Sequence, residues 1–421
     1  MPLAAVHGAC HPAPSMPENA SFPPSPVALV KAGQRFAFDG APGSAEALAI
    51  ARYLAAHRAQ VPLLAVICAN PADAQRLSQE IGFFAPEARV RLLPDWETLP
   101  YDTFSPHQDL VSERLATLHD LGEGRCDILL VPATTALYRM PPASFLAAYT
   151  FAFTQGERLD ESKFKAQLTL AGYEHVSQVV RPGEYCVRGS LIDLFPMGSP
   201  LPYRIDLFDD QIDSIRAFDP DTQRSLYPVR DVRLLPGREF PFDEAARTAF
   251  RSRWRESFEG DPSRAPIYRD IGNGVPSAGI EYYLPLFFDD TATLFHYLPE
   301  HAHLVFTGDL DTAIRRFTAD TKQRYTFLSH DRERPILEPQ RLFLSDDDFY
   351  TLAKPFARVV LPAQAAGGWA TPLPPLALER QADDPLASFR AICRPPRTAC
   401  CSRSNRRAAA RPSPSCSPST A

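Results

Sequence analysis

The segment Leu63-Leu-Ala-Val-Ile67 is an unbroken apolar run with the length of a buried strand. Asn70 and Pro71 follow it; asparagine often caps helices, and proline is favoured at the first helical position. They open a helical pattern that runs to Phe84. Because a strand, a short link and a helix form the repeating unit of parallel sheets, this stretch predicts an α/β fold.

The segments on both sides repeat the alternation of strand and helix. Short links join them, which favours βαβ units around a parallel sheet. Ser44 precedes the first helical pattern and is interpreted as its N-cap. Helices are predicted over residues 44–57 and 107–121, and strands over residues 90–93 and 127–131.

A phosphate-binding loop would lie between the first strand and the first helix of such a domain. Gly40, Gly43 and Ser44 occupy that position, but no lysine follows Gly43, and Glu46 adds negative charge there. A P-loop needs the lysine to reach the outer phosphates. The helix N-terminus alone could hold an anion only weakly. We therefore interpret this position as a degenerate phosphate loop, in which a glycine turn enters a helix, and expect no nucleotide hydrolysis there.

Residues 94–109, Pro-Asp-Trp-Glu-Thr-Leu-Pro-Tyr-Asp-Thr-Phe-Ser-Pro-His-Gln-Asp, show neither helical nor strand periodicity. Their prolines and capping residues predict an ordered loop. The loop could bind a partner. Alternatively, packing of Trp96, Tyr101 and Phe104 on the sheet could fix it in place, and we favour this second interpretation.

The middle of the chain predicts an α+β domain. A helical pattern over residues 159–171 ends at Gly172, and glycine is a common helix C-terminal signal. Two of the strand patterns that follow are separated only by Asp209-Asp210, which predicts a hairpin. The predicted strands cover residues 184–188, 190–195, 203–208 and 211–218.

Four aspartates surround this hairpin and could be interpreted as a metal site. We favour a solvated strand face with turn chemistry, because neither EF-hand spacing nor a histidine accompanies them. We expect no metal site and no catalytic residue. The aspartates are Asp206, Asp209, Asp210 and Asp213.

The most specific segment of the chain is Arg181-Pro-Gly-Glu-Tyr-Cys-Val-Arg188-Gly-Ser-Leu-Ile-Asp193-Leu-Phe195-Pro196. Arg188 lies at a strand turn, where its guanidinium can be exposed. Arginine is a frequent anchor of protein interfaces. A structural arginine paired with Asp193 fits the composition equally well, so both interpretations stay open.

The composition is that of a globular chain. Hydrophobic residues make up 45% and charged residues 22%, which excludes wholesale disorder. The longest apolar run is too short to span a membrane. Residues 1–24 contain no lysine or arginine, unlike a secretory signal. We therefore expect a cytoplasmic protein with reduced cysteines and no membrane partner.

Residues 394–421 are of a different kind. They contain six arginines and six serines, but no acidic, large aliphatic or aromatic residue, which predicts disorder. They could form a basic arm that binds nucleic acid. The abrupt change of composition after a helical pattern at residues 385–393 favours the alternative, out-of-frame translation of a GC-rich gene. The rest of the chain is acidic and has no global field that attracts phosphate.

Four long runs, in order, resemble the N-terminal part of the bacterial transcription-repair coupling factors (Mfd). The resemblance extends roughly over residues 27–393 and reaches only the N-terminal third of that family. The polymerase-binding domain and the two motor domains with Walker motifs are absent from this sequence. The matching runs are residues 95–109, 188–199, 203–219 and 278–288.

The resemblance implies a module similar to UvrB. A degenerate helicase-like α/β domain with a parallel sheet would be split by an inserted α+β domain that binds the repair protein UvrA, and the start of a small α/β domain would follow. The implied layout is a disordered N-terminus at 1–26, the first α/β part at 27–144, the inserted domain at 145–232, the second α/β part at 233–336, the incomplete small domain at 337–393 and the disordered tail at 394–421.

The resemblance also implies where UvrA would bind. The family's motif maps onto Arg188 and Phe195, although Phe195 fits a core position equally well. The family has a further basic residue directly after Tyr173, and this chain has Glu174 instead. Arg181 could replace that contact.

The implied function is recruitment of UvrA in transcription-coupled nucleotide excision repair, with no cofactor and no ATP-driven motor in this chain. The full-length family also contacts RNA polymerase and double-stranded DNA. The alternatives are ATP-dependent DNA translocation, as in the full-length family, and nonspecific DNA binding through the basic tail.

Overall fold

The computed structural model describes residues 28–38, 41, 43–362 and 384. The predicted N-terminal segment 1–26, Gly40, the helix predicted over residues 385–393 and the tail 394–421 lie outside these residues. The predicted mixed α/β architecture, with a parallel sheet and a separate inserted sheet, is confirmed.

The strands of the described residues form three sheets. In chain order they are β1 Arg35–Ala37, β2 Leu64–Cys68, β3 Val90–Leu92, β4 Ile128–Pro132, β5 Phe151–Thr154, β6 Glu174–His175, β7 Glu184–Arg188, β8 Leu191–Leu194, β9 Tyr203–Phe208, β10 Gln211–Phe218, β11 Ser225–Val229, β12 Asp231–Leu234, β13 His303–Thr307 and β14 Ala357–Leu361.

Helices cover and connect these sheets, together with 3₁₀ turns at Pro262–Arg264 and Ile280–Leu286. In chain order they are α1 Ala45–His57, α2 Pro71–Phe84, α3 Gln108–Gly122, α4 Ala133–Leu137, α5 Ala143–Ala148, α6 Glu161–Leu170, α7 Glu244–Ser257, α8 Pro266–Gly272, α9 Leu294–Tyr297, α10 Leu310–Leu328, α11 Pro339–Leu342 and α12 Asp346–Ala353. Within this described part, none is long and apolar enough to cross a membrane.

The central sheet has the order β1-β14-β13-β2-β4-β3, and each neighbouring pair is parallel. Strands β2, β4 and β13 are buried along their whole length. Elements on both faces of a parallel sheet bury its strands completely, which explains why these strands are continuous apolar runs in the sequence.

Of the two predicted helix N-caps, Asn70 is confirmed and Ser44 is not. The Asn70 side chain accepts a hydrogen bond from the Asp73 amide at 2.9 Å, as expected of an N-cap. Ser44 precedes α1 but has helical backbone angles and makes no capping bond. Its hydroxyl instead donates to Glu80 at 3.1 Å, so α1 begins without the predicted side-chain cap.

Residues 337–362 pack within the α/β domain, which differs from the separate small domain predicted to start at residue 337. Leu337 and Phe349 are buried in its core. Strand β14 lies between β1 and β13 in the central sheet. The physical reason is sheet completion, because without β14 the buried strand β13 would have an unpaired edge. The other predicted domain boundaries remain predictions.

The inserted domain contains a sheet of order β11-β10-β9-β8-β7-β6, antiparallel except for the pair β6 and β7. The predicted hairpin joins β9 to β10, and Asp209 adopts the positive φ of 55° that this tight turn requires. Helix α6 packs Phe164 and Leu168 into the same apolar cluster as one face of the sheet.

The inserted domain docks on α3 through the end of its most specific segment. The Gly198 amide donates to the Ser112 hydroxyl at 2.7 Å. A Cβ on Gly198 would lie 2.9 Å from the Cβ of Ala116, so the two backbones approach as closely as a glycine allows. The Tyr173 hydroxyl donates to the Leu235 carbonyl at 2.8 Å and accepts from the Met197 amide at 3.0 Å. The bonds to Ser112 and Leu235 fix the orientation of the inserted sheet relative to the α/β domain.

The 94–109 loop is fixed by packing, as predicted, but by two of the three named aromatics. Trp96 and Tyr101 are buried, whereas Phe104 is 69% exposed. The Trp96 indole donates to Glu239 at 3.2 Å, and the buried Arg114 donates to the same carboxylate at 2.6 Å. This buried ion pair joins the loop, α3 and the chain that follows the inserted domain.

Candidate partner-binding surface on the inserted sheet

The face of the inserted sheet opposite α6, called the outer face below, has one covered end and one open end. Successive side chains of a strand alternate between faces, so the outer face carries every second residue of β7 to β10. The segment 176–181 covers one end, where Val179 and Phe218 are fully buried. The open end is defined by Arg188, Leu191, Asp193, Arg204, Asp206 and Arg216, on four adjacent strands.

Asp193 is the centre of the open end. Its carboxylate is 1% exposed and accepts hydrogen bonds from both Arg188 and Arg204, the latter at 2.7 and 2.9 Å. The Arg188 side chain is 51% exposed, whereas that of Arg204 is 20% exposed. Thus Arg188 is paired with Asp193, as one interpretation predicted, and still presents half of its side chain to solvent, as the other required.

Arg204 is held from several sides. Its guanidinium lies 4.8 Å from the centre of the Phe218 ring and donates to the Gln223 carbonyl at 3.2 Å. The two bonds that Arg204 donates to Asp193 hold the pKa of Arg204 above its usual range, which keeps this side chain charged. Because Arg204 shares the buried carboxylate, Arg188 is not needed to neutralise Asp193.

Phe195 lies in the core and not on the surface. It is 6% exposed and packs with Val179, Cys186 and Phe218 beneath the 176–181 segment. Of the two positions predicted for this residue, the core position is the one observed. Its ring cannot reach a partner unless the covering segment moves.

Arg181 and Glu174 lie beside the covered end. The Arg181 side chain is 61% exposed and donates to the buried Glu184 at 3.1 Å. Glu174 is exposed and pairs in the β6–β7 register with Glu184. Both positions are therefore accessible, and the acidic Glu174 stands where the family resemblance implies a basic side chain.

The described part of the phosphate-loop position is filled by an ion-pair cluster. Gly43 has a φ of +59° and leads into α1. Arg76 donates to Glu46 at 2.7 Å and to Glu80 at 2.8 Å, and Glu80 also accepts from Ser44. Burial raises the pKa of Glu46. Carboxylates gathered around one arginine repel phosphate, so this geometry favours the degenerate interpretation.

The four aspartates of the hairpin do not come together as a group of possible metal ligands. No group of three acidic, histidine or cysteine side chains within the described part of the chain could hold a metal ion. Asp210 instead lies 3.8 Å from Arg158 in an exposed ion pair.

Sequence reasoning missed Arg204 and Arg216 on the open end. Arg216 is exposed and makes no ion pair with a described side chain. The alternation of side chains along a strand could have identified them, because the register of three adjacent strands places Asp193, Arg204 and Arg216 side by side on one face. The signal was hidden because the order of the strands in the sheet was not known.

Comparisons with known proteins agree with this architecture. A family model described as the UvrB interaction domain matches residues 151–240, which begin at β5 and contain the whole outer face. The transcription-repair-coupling factor of Escherichia coli strain K12 is 44% identical over 369 residues, which is 86% of this chain and 32% of that protein. This chain is homologous to the N-terminal part of the transcription-repair-coupling factors.

Two further coupling factors support this relationship. The protein of Haemophilus influenzae is 42% identical over 337 residues, covering 78% of this chain and 29% of that protein. The protein of Myxococcus xanthus is 33% identical over 342 residues, covering 76% of this chain and 28% of that protein. The chain thus spans about a third of the length of the curated coupling factors that it matches.

Proposed function

We propose that this chain is a protein-interaction module that docks UvrA on the open end of the outer face, as part of DNA repair coupled to transcription. The observation that carries the proposal is the shared carboxylate of Asp193. Because Arg204 already neutralises Asp193, Arg188 is held in place at the surface while its remaining N–H groups stay available.

The chemistry of the open end fits an acidic partner surface. Three arginines face two aspartates there, and one of these aspartates is buried and already paired. An arginine held by a neighbour loses little side-chain entropy when it binds, and its planar fork forms charge-assisted bonds with carboxylates. Arg188 and Arg216 would provide these contacts, and Arg181 would contribute from the covered end.

We further propose that this module performs no ATP-driven step by itself. The phosphate-loop position holds carboxylates in place of a phosphate-binding lysine, and the family's Walker motifs do not occur in this sequence. RNA polymerase and double-stranded DNA, which the full-length family contacts, are therefore not assigned to this surface. ATP turnover by the purified chain above background would contradict this part of the proposal.

The test is a calorimetric titration of purified UvrA with the full chain and with Arg188→Ala. We expect the variant to bind more weakly by more than ~1 kcal/mol, about a fivefold change in Kd. Its melting temperature should stay close to that of the native chain, because the Arg188 side chain is half-exposed and Arg204 still pairs with the buried Asp193. Arg158→Ala is the matched control, since Arg158 is 84% exposed on the same domain but lies outside the outer face.

The outcomes separate the function from the site. No binding by the folded native chain would contradict the module itself. Equal binding by the native chain and by Arg188→Ala would leave the module but remove the outer face as its contact surface.

A further inference from the structure

Helix α7, which follows the inserted domain in the sequence, carries a line of arginines along one side. Arg247, Arg251 and Arg255, called the arginine row below, recur every four residues along one side of α7. The adjacent side holds Phe250 and Trp254 in the core. The row therefore runs along the boundary between the core and solvent.

The arginine row has no acidic partner. None of its guanidinium groups forms an ion pair with any side chain in the described ranges, and the Nε atoms of Arg247 and Arg251 are buried with no hydrogen-bond partner. On the same helix, Arg253 pairs with Asp289 and donates to the Leu286 carbonyl at 3.0 Å. Arg255 of the row donates only to the Arg251 carbonyl of its own helix, at 3.1 Å, so the row differs from Arg253 in having no ion pair.

Two guanidinium groups of the row are held in place by α8 and the turn after it. Arg247 lies against Gly274, with its Nη1 3.0 Å from where a Cβ would be, and Arg251 lies against Gly272 at 3.6 Å. The Arg251 guanidinium also stacks 4.8 Å from the centre of the Tyr268 ring. Glycines let the arginines lie flat on the backbone, so their positions are fixed before any ligand arrives.

The nearby carboxylates of Glu256 and Asp270 accept hydrogen bonds from serine hydroxyls and not from the arginine row. Glu256 accepts from the Ser252 hydroxyl at 3.3 Å, and Asp270 accepts from Ser277 at 2.8 Å. The whole chain is acidic, with 50 acidic against 44 basic residues. Three arginines without an ion pair, in a chain that is acidic overall, favour a negatively charged ligand.

We propose that the arginine row binds the phosphodiester backbone of nucleic acid. Side chains four residues apart on a helix are separated by about 6 Å, so the row places three cations along about 12 Å. This geometry fits a linear polyanion better than a single small ion. Arginine forks also bind phosphate oxygens in a bidentate manner. Such contacts position a nucleic acid without reading its sequence.

The test measures the binding of fluorescein-labelled double-stranded DNA by anisotropy at several KCl concentrations, with the full chain. The triple variant Arg247→Gln, Arg251→Gln and Arg255→Gln should bind more weakly at low salt. Its slope of log K against log salt should be shallower by about 2–3, since each lost phosphate contact removes about 0.9. The tail is identical in all variants, so the difference in slope reports on the row alone.

The matched control removes the same charge elsewhere, through Arg315→Gln, Arg316→Gln and Arg332→Gln at exposed positions. It should retain the native slope. Arg255→Gln alone changes an exposed side chain that donates to the Arg251 carbonyl of its own helix. It should lower the slope by about 1 with an unchanged melting temperature, which guards against a folding defect in the triple variant.

The proposal would be overturned by no DNA binding of the native chain, by equal slopes for the triple variant and the native chain, or by an equal loss in the control. Poly-L-glutamate is the competitor that tests the other source of negative charge. If it displaces DNA as well as unlabelled DNA does at equal charge, the row recognises acidic peptide and the assignment to phosphate is wrong.

Discussion

Removing the carboxylate of Glu239 should destabilise the fold strongly, because it would leave a charged guanidinium isolated in the core. Arg114 is 1% exposed and Glu239 is 3% exposed, and their side chains meet at 2.6 Å. In Glu239→Leu the side-chain volume is roughly kept, but Arg114 retains only its hydrogen bond to the Pro94 carbonyl at 2.7 Å. Breaking one side of a buried ion pair costs about 3–5 kcal/mol.

A second loss adds to the first. The Trp96 indole, which now donates to Glu239, would become a buried donor without a partner. The total is a large part of the ~5–15 kcal/mol that stabilises a typical domain. The measurement is the free energy of unfolding from urea denaturation followed by circular dichroism, for native chain and variant at the same pH.

The double variant Arg114→Met with Glu239→Leu separates the charge from the contacts. It removes both ions, so it should be more stable than Glu239→Leu alone although it lacks one more native side chain. If the double variant is as unstable as the single one, or if Glu239→Leu costs less than ~1 kcal/mol, the isolated buried charge does not explain the role of this pair.

Two further predictions concern the buried carboxyl of Glu281 and the close approach of the backbone at Gly198. Burial raises the pKa of Glu281 to about 7, so the folded protein keeps a proton that the unfolded chain loses near pH 4.5. The stability of the fold should therefore fall as the pH rises from about 4.5 to about 7. Glu281→Gln should lack this part of the decline, and parallel curves of melting temperature against pH for the two proteins would contradict the prediction. Gly198→Ala should destabilise the chain by more than ~1 kcal/mol, because a Cβ would clash with Ala116 and strain a positive φ. Gly156→Ala, which also has a positive φ but open space around it, is the control in urea denaturation, and equal losses in the two variants would exclude the clash.

The parallel sheet could be predicted from the sequence because both of its faces are covered. Strands such as Leu64–Cys68 are then apolar at every position, and the signal does not depend on neighbours. The cap at Asn70 was predictable for a similar reason, since the interaction spans only three residues. Ser44 fits the same local pattern, but its hydroxyl bonds Glu80 on a neighbouring helix, and a local pattern contains no such competitor.

The predictions that failed depend on distant parts of the chain. The place of β14 in the central sheet is set by pairing with β1 and β13, which the sequence at residue 337 does not show. Phe104 belongs to a loop without periodicity, so its exposure could not be predicted. The partnership of Arg114 and Glu239 joins residues 125 positions apart, and neither residue lies in a recognisable motif.

The sequence indicated some residues of the candidate site, but not how they are arranged. The sequence indicated Arg188 and Asp193 as a possible pair, and the structure confirms their contact. It could not show that Arg204 shares the same carboxylate, because that requires the register of β8 and β9. Phe195 is buried by the 176–181 segment, which has no periodic pattern that would predict a cover.

The pairing of β1 with β14 constrains when this sheet can be completed during synthesis. Arg358 donates to the Gly33 carbonyl across 325 residues of chain, so the two strands cannot meet until nearly all of the intervening sequence has left the ribosome. At ~5–20 residues per second that interval is about 16–65 s. Once β4 has emerged, β2, β3 and β4 can associate, but the edge of β2 that β13 later covers stays open until β13 emerges. A nascent chain is therefore most exposed to strand-by-strand aggregation at that edge, and a translational pause just before β13 would prolong the risk.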